Sequence, residues 1–492
     1  MKLYETSFVA VSLKMIEWFR MKRSDKSNTV KKAIMPEKPN TLTFKQTLKM
    51  RRNYVGRSCK LHYEVAPLKI VRGSKQYLYD DSGNEYLDCV NNISHVGHCH
   101  PHVVNAGQEQ MSKLMTCFGF LSDLQVAYAK RIVEMLPENL CVCYFLNSGA
   151  YHGNTENLIK ISPSRLKQHN MPIDDWVHVV PCPDVYRGKY REDNVSPGHL
   201  YANEVKVAIA KALDKGRTIS AFICEPVMTS AGTVVPPANF FKLVYRYVRE
   251  AGGVCIADEV QTGLGRCGEA YWAFESHDVV PDIITLGKPM GNGHPMSMVV
   301  TTKEISDSLK EFSSAYGGNP VACAMGMAVL DVIRNEHLLS SAKSVGKCLK
   351  DGFQAILQKH RLMGDVRGAG MLVGVEIVED KESRKPNKDA AEALVYKLKE
   401  KKIITSNEGP DKNVIIFQPP MCFTCENAAT VVKAVDDALT EVEEEDRQVS
   451  MSSDIIVPLS VITASKHKLS SDDEDDDDEY ESPSKRFYEG VD

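Results

Sequence analysis

Residues 253–294 read GVCIADEVQTGLGRCGEAYWAFESHDVVPDIITLGKPMGNGH. Two short apolar runs rich in Val and Ile, at 254–257 and 283–286, each end abruptly in polar residues. Runs of this kind predict buried strands of a parallel sheet. The first delivers Asp258 and Glu259, then Val260 and Gln261; the second delivers Gly287 and Lys288, then Pro289 and a glycine-rich turn. In open α/β sheets, ligands gather beyond the carboxyl ends of the strands. An acid and a lysine there suit a cofactor with a basic ring nitrogen at one end and an aldehyde at the other.

The 492 residues are enough for a large core and for more than one domain. Hydrophobic residues make up 43% and charged residues 25%, and a formal net charge of −5 gives no electrostatic case for nucleic acid. No apolar run approaches the ~18 residues that span a bilayer. The 14 cysteines are scattered and read as free, buried thiols of a reducing compartment. Cys141/Cys143 and Cys422/Cys425 are close pairs without the second half of a zinc pattern. His95, His98, Cys99 and His100 cluster without a matching ligand set elsewhere, so a structural turn is expected there and no metal site.

Residues 1–48 form a basic extension, read as a mitochondrial presequence or as a disordered accessory segment. Glu5, Glu17 and Asp25 count against the presequence, which leaves the mitochondrion and the cytoplasm as alternatives. Residues 49–110 start a smaller domain, with strands at 69–72, 76–80 and 86–89. Residues 111–325 form the large domain. Its strand at 141–146 ends in Asn147-Ser148-Gly149, where backbone N–H groups can face an anion. Further strands are predicted at 176–180, 221–224, 254–257, 283–286 and 297–301, with amphipathic helices at 201–215 and 240–251 between them. This alternation predicts an α/β fold around a mostly parallel sheet. Asn319 caps a long helix that Pro320 opens, and residues 326–445 complete the smaller α+β domain. Residues 446–492 carry an acidic run at 472–479 flanked by serines, the composition of a disordered tail.

Several short motifs run in one order over about residues 50 to 440. They are Gly97-His98-Cys99-His100-Pro101, Asn147-Ser148-Gly149, Tyr151-His152-Gly153, Glu225-Pro226, Asp258 to Arg266, Gly287-Lys288, Tyr316-Gly317-Gly318-Asn319-Pro320 and Arg367-Gly368-Ala369-Gly370. Together they resemble the class-III (subgroup II) aminotransferases dependent on pyridoxal 5′-phosphate (PLP), of fold type I. Residues 177–193, 291–295 and 419–423 resemble that family's phospho-lyase branch, which acts on ethanolamine phosphate or 5-phosphohydroxy-lysine.

The resemblance implies a homodimer acting on a small primary amine, as phospho-lyase or as transaminase. It implies that Lys288 forms the Schiff base and moves the proton, and that Asp258 pairs with the pyridine nitrogen. Gln261 would meet the ring hydroxyl oxygen and Tyr151 the ring face, with Ser148, Gly149 and His152 also lining the cofactor. Glu225 would stand near the substrate, and Arg367 would meet a substrate carboxylate.

One departure matters most. The family follows Asn-Ser-Gly with Ser/Thr-Glu-Ala, a long helix and a strand, whereas here Gly149 joins Ala150-Tyr151 directly. Roughly 25 residues, about one helix and one strand, are missing. The lost helix N-terminus is one of the cradles for the PLP phosphate. Ala315 replaces a family threonine that reaches the same phosphate, and Gly119 occupies the position of a phospho-lyase arginine. Weakened cofactor binding is therefore expected, with a catalytically impaired dimer partner as the alternative to an active enzyme.

Overall fold

In this computed structural model, residues 42–149, 153, 155–168 and 170–451 are described. Most of the basic extension, Tyr151, His152 and the acidic run lie outside those residues. The chain divides into two units, Met1–Cys59 and Lys60–Asp492. The first holds a helix, Phe44–Tyr54, which begins inside the stretch expected as an extension. Thr43 and Gln46 start it as a capping box, each side chain accepting the other's backbone N–H.

In the second unit, β1 (Ile70–Ser74), β2 (Tyr77–Asp80) and β3 (Glu85–Asp88) form an antiparallel meander. The central sheet is built from β4 (Val142–Leu146), β5 (Ala221–Cys224), β6 (Val254–Asp258), β7 (Ile283–Leu286) and β8 (Ser297–Thr301), in the order β4-β8-β7-β6-β5. Neighbours β5, β6 and β7 are parallel, while β8 runs against both β4 and β7. Four of the five strands therefore point one way. A second layer holds β9 (Met363–Ala369), β10 (Leu372–Ile377), β12 (Ser406–Glu408) and β13 (Val414–Phe417), all antiparallel. Between α-helical and sheet elements of that layer, β11 (Ile403–Ile404) pairs in parallel with β3, so early and late parts of the chain build one sheet.

The packing follows the apolar spacing. Helix Phe240–Glu250 buries Phe240, Phe241, Val244, Tyr245 and Val248, one stripe at helical period. That stripe shares a core with Tyr201, Ala202 and Val205 of helix Pro197–Asp214. Helix Pro320–Asn335 starts as its sequence predicts, with the Asn319 side chain accepting the Ala322 N–H at 2.9 Å.

Three expectations are corrected. No strand forms at 176–180: β5 is the outer strand of the central sheet and its outer edge stays unpaired among the described residues, while Val180 packs on the core beside β5 instead. The terminal helix, Cys425–Met451, runs past the residue where disorder was expected to begin. The cysteines are not all free, because Cys348 and Cys425 form a disulfide with Cα atoms 5.7 Å apart. Their separation of 77 residues left no spacing signal to read. Among the described residues no strand lies between β4 and β5, where the helix–strand unit is missing.

Phe353, fully buried, stacks on Phe417 of β13 with ring centroids 4.7 Å apart. Phe353→Ala should destabilise the protein by about 3–5 kcal/mol in urea denaturation. A loss below about 1 kcal/mol would mean that this aromatic pair does not hold helix Leu338–Leu357, which carries Phe353, against the sheet.

Candidate active site

The site forms at the edge where β4, β6 and β7 end. Asp258 closes β6 opposite Thr285 of β7, and its buried carboxylate accepts the Val260 N–H and the Thr285 hydroxyl, both at 3.0 Å. Gly287 follows β7, and a Cβ on it would lie 3.3 Å from the Gly149 carbonyl oxygen. A Cβ on Gly149 would come within 2.7 Å of the Leu286 carbonyl oxygen. Only glycine permits this approach, which sets Ser148 and Gly149 beside the loop that carries Lys288.

From Lys288 a hydrogen-bond chain runs in one direction. Its Nζ donates to Gln261 Oε1 at 2.7 Å. Gln261 Nε2 donates to Thr229 Oγ1, and that hydroxyl donates to Glu225 Oε2. The same Glu225 oxygen accepts the Thr229 N–H at 2.9 Å. Asn92 Nδ2 donates to Gln261 Oε1 and to Gln418 Oε1, both at 2.9 Å. Sequence reading placed Asp258, Gln261, Lys288 and Glu225 here and missed Asn92, Thr229 and Gln418. Thr229 follows Glu225 by one turn, a short-range clue; Asn92 and Gln418 arrive from distant segments with no motif of their own.

Burial lowers the pKa of the Lys288 amine from the ordinary lysine value, while Glu225, Glu408 and Asp258 push it back up. Behind it, Arg266 is wholly buried, and burial brings its guanidinium down to about 10. Arg266 donates to the Pro419 carbonyl and faces His95 Nδ1 at 3.1 Å; His95 Nε2 donates to the Leu264 carbonyl at 2.9 Å. Burial, reinforced by Arg266, holds His95 down at about 3, so it is neutral. The other histidines of that cluster turn elsewhere: His98 to Asp88 and Ser94, His100 to Glu336. Among the described residues no three His, Cys, Asp or Glu side chains gather as a metal site.

Arg367, on β9, lies one turn from the chain of hydrogen bonds. Its Nε donates to the Gly232 carbonyl at 2.8 Å, and the Gly232 N–H donates to the Thr229 carbonyl at 3.0 Å. Its NH1 donates to Asp365 at 2.9 Å and to Glu376.

A carboxylate, an amide and a half-buried amine at one sheet edge fit a pyridine ring that bears an aldehyde. At the phosphate end, the described residues offer the backbone of Ser148 and Gly149. Ser297 Oγ is also there, buried without a partner beside Gly149. The next described helix after Gly149 is Glu156–Ile161, of only six residues.

Fold and site together define an α/β enzyme of the PLP-dependent transferase kind. The chain belongs to the class-III aminotransferases: the family pattern matches residues 59–150 and 145–439. The two stretches meet where Gly149 joins Ala150. The chain is 41% identical over 464 residues to "Alanine--glyoxylate aminotransferase 2-like" of Drosophila melanogaster, covering 87% of this chain and 94% of that protein. It is 37% identical over 437 residues to "Ethanolamine-phosphate phospho-lyase homolog 1" of Caenorhabditis elegans, covering 80% and 93%. A solved phospholyase from Arthrobacter, in complex with phosphoethanolamine, matches with a TM-score of 0.76 at 32% identity over 80% of this chain and 99% of that one. The family's cofactor is pyridoxal phosphate.

Because burial depresses it, the Lys288 amine should titrate below ordinary lysines when labelled competitively across pH and read by mass spectrometry. Glu225→Gln removes an upward push and should lower the midpoint further; a rise would overturn this assignment of charges. By linkage, the buried amine costs stability where the unfolded lysine is charged, and the cost fades as pH rises through the ordinary lysine range.

Proposed function

We propose that the protein acts on a small primary amine that carries a phosphate on the neighbouring carbon, and eliminates that phosphate. The observation that carries the reading is the Lys288 amine, half-buried at the end of β7 and bonded to Gln261 beside Asp258. Lys288, Asp258 and Gln261 would hold the cofactor, with Ser148, Gly149 and Ser297 toward its phosphate; Tyr151 and His152 remain assigned by resemblance alone. When bound, PLP supplies an electron-accepting ring next to the reacting carbon. Asp258, which accepts the Val260 N–H and the Thr285 hydroxyl, would keep a ring-nitrogen proton in place by its charge. Lys288 Nζ, its charge disfavoured by burial, is the base that takes and returns the proton of the reacting carbon. Similarity to the C. elegans and Arthrobacter proteins supports elimination over amino transfer to a keto acid.

A second reading concerns how tightly the cofactor is held. The family match breaks at 145–150, and among the described residues the helices between Gly149 and Pro197 are only six residues long, which supports a weak phosphate cradle. Large apolar side chains left exposed, such as Phe120 at 80%, Leu121 at 99% and Tyr316 at 70%, support a homodimer that covers them.

PLP titrated into the purified protein should give a visible absorbance band only with PLP in excess, and Lys288→Ala should abolish it. A stable band at stoichiometric PLP would refute the weak cradle. With PLP in excess, ethanolamine phosphate should release inorganic phosphate without a keto acid, and Lys288→Ala should lower that rate by about 10²-fold or more. Amino transfer that requires a keto acid, with no phosphate released, would identify a transaminase instead.

A further inference from the structure

Residues 418–424 form a strap between the end of β13 and the terminal helix, and they back the site. The Gln418 N–H donates to the Cys89 carbonyl at 2.7 Å, and Gln418 Oε1 accepts from Asn92, which bonds Gln261 in turn. The Pro419 carbonyl accepts from Arg266, and the Met421 N–H donates to the His95 carbonyl at 2.7 Å. The strap is fastened at both ends. Phe417, buried, closes β13. At the other end Cys425, the first residue of helix Cys425–Met451, is bonded to Cys348 of helix Leu338–Leu357.

Cys425 is exposed and Cys348 half-buried, so a reagent in solution meets the bond at Cys425. The two helices do not depend on the bond for their contact. Leu349 and Phe353 of one share a core with Val431, Val435 and Leu439 of the other. Helices held by their own apolar packing stay together when the bond opens, which keeps both sulfurs within reach for closure. The reduced Cys425 thiol also finds an acceptor, the Ser344 carbonyl, at 3.9 Å. Neighbouring Cys422 does not serve as the attacking thiol. Burial pushes it up to about 12, and a Cβ on Gly97 would lie 3.0 Å from its sulfur. The attacking thiol therefore comes from solution.

We infer that Cys348–Cys425 is a reversible thiol–disulfide site, opened by small thiols such as glutathione, and that its state sets how firmly residues 418–424 are held behind the site. A small thiolate attacks the Cys425 sulfur, the S–S bond breaks, and Cys348 leaves as a thiolate that takes a proton from water. A second small thiolate attacks the sulfur of the attached thiol, which releases the small disulfide and returns Cys425 as a thiol. Two small thiols are oxidised and one protein disulfide is reduced. An accessible disulfide opens in a compartment held reducing and closes under oxidation. Closed, the bond anchors the strap on helix Leu338–Leu357. Open, it leaves the far end of the strap to Asn427, whose Oδ1 accepts the Thr424 N–H at 3.1 Å and Gln76 Nε2 at 2.9 Å.

The test equilibrates the full chain in glutathione buffers of rising reduced fraction, then alkylates free thiols and maps them by mass spectrometry, with circular dichroism reporting the fold. Cys348 and Cys425 should become reactive together while the protein remains folded, and should be protected again when oxidised glutathione is restored before labelling. Hydrogen exchange at the Gln418, Met421 and Phe423 amides should be at least about three-fold faster in the reduced protein than in the oxidised one. Cys348→Ser should show the fast rate in every buffer. If that variant does not fold, Cys425→Ser, at the exposed position, should behave in the same way. Free thiols at both positions in oxidised glutathione, a bond that opens only when the protein unfolds, or equal amide exchange in the two states would each overturn the inference.

Discussion

The hydrogen bond from Lys288 to Gln261 sets the polarity of everything around it. A lysine ammonium can only donate and a carboxylate can only accept. The amide of Gln261 must therefore turn its oxygen to Lys288 and its nitrogen to Thr229, and the hydroxyl must point at Glu225. Reversing one link would leave a buried polar atom unpaired, at a cost of about 1–3 kcal/mol. Gln261 is also where the smaller layer touches the larger: Asn92 ties it to Gln418, and Gln418 donates its N–H to the Cys89 carbonyl at 2.7 Å.

The two ends of the site are built from different materials. The ring end rests on the central sheet, where Asp258 is fixed by strand register and Lys288 by a close glycine contact. The phosphate end depends on the segment after β4, and there the described chain contributes a loop edge and one unpartnered hydroxyl. The side chains to which the proposed function gives charge handling are all present, while the backbone that would grip an anion is reduced. Buried, neutral His95 and the deeply buried Arg266 brace the loop from Asp258 to Arg266 from behind.

How much of this was legible in the sequence depended on the range of the interaction. The strands at 221–224, 283–286 and 297–301 were readable because each is a short, mostly apolar run. Asp258, Gln261 and Lys288 were readable because each sits within a few residues of such a run. The run at 176–180 is rich in valine and yet forms no strand, since local pattern does not decide whether a segment docks on the free edge of β5. Asn92 and Gln418 were invisible for the converse reason: neither stands out locally, and they meet Gln261 only through the tertiary fold. Arg367 could be assigned from its motif, yet its partner Glu376 lies in an apolar strand where a lone acid gives no hint of what it binds.

The parallel pairing of β3 with β11 joins Leu87 to Ile403. On a ribosome adding about 5–20 residues per second, β3 waits roughly 15–60 s for its partner. Through that interval its outer edge presents unpaired N–H and C=O groups to whatever is nearby. The nascent chain is thus exposed to wrong pairing for most of translation, and the sheet closes only when the last fifth of the protein is emerging.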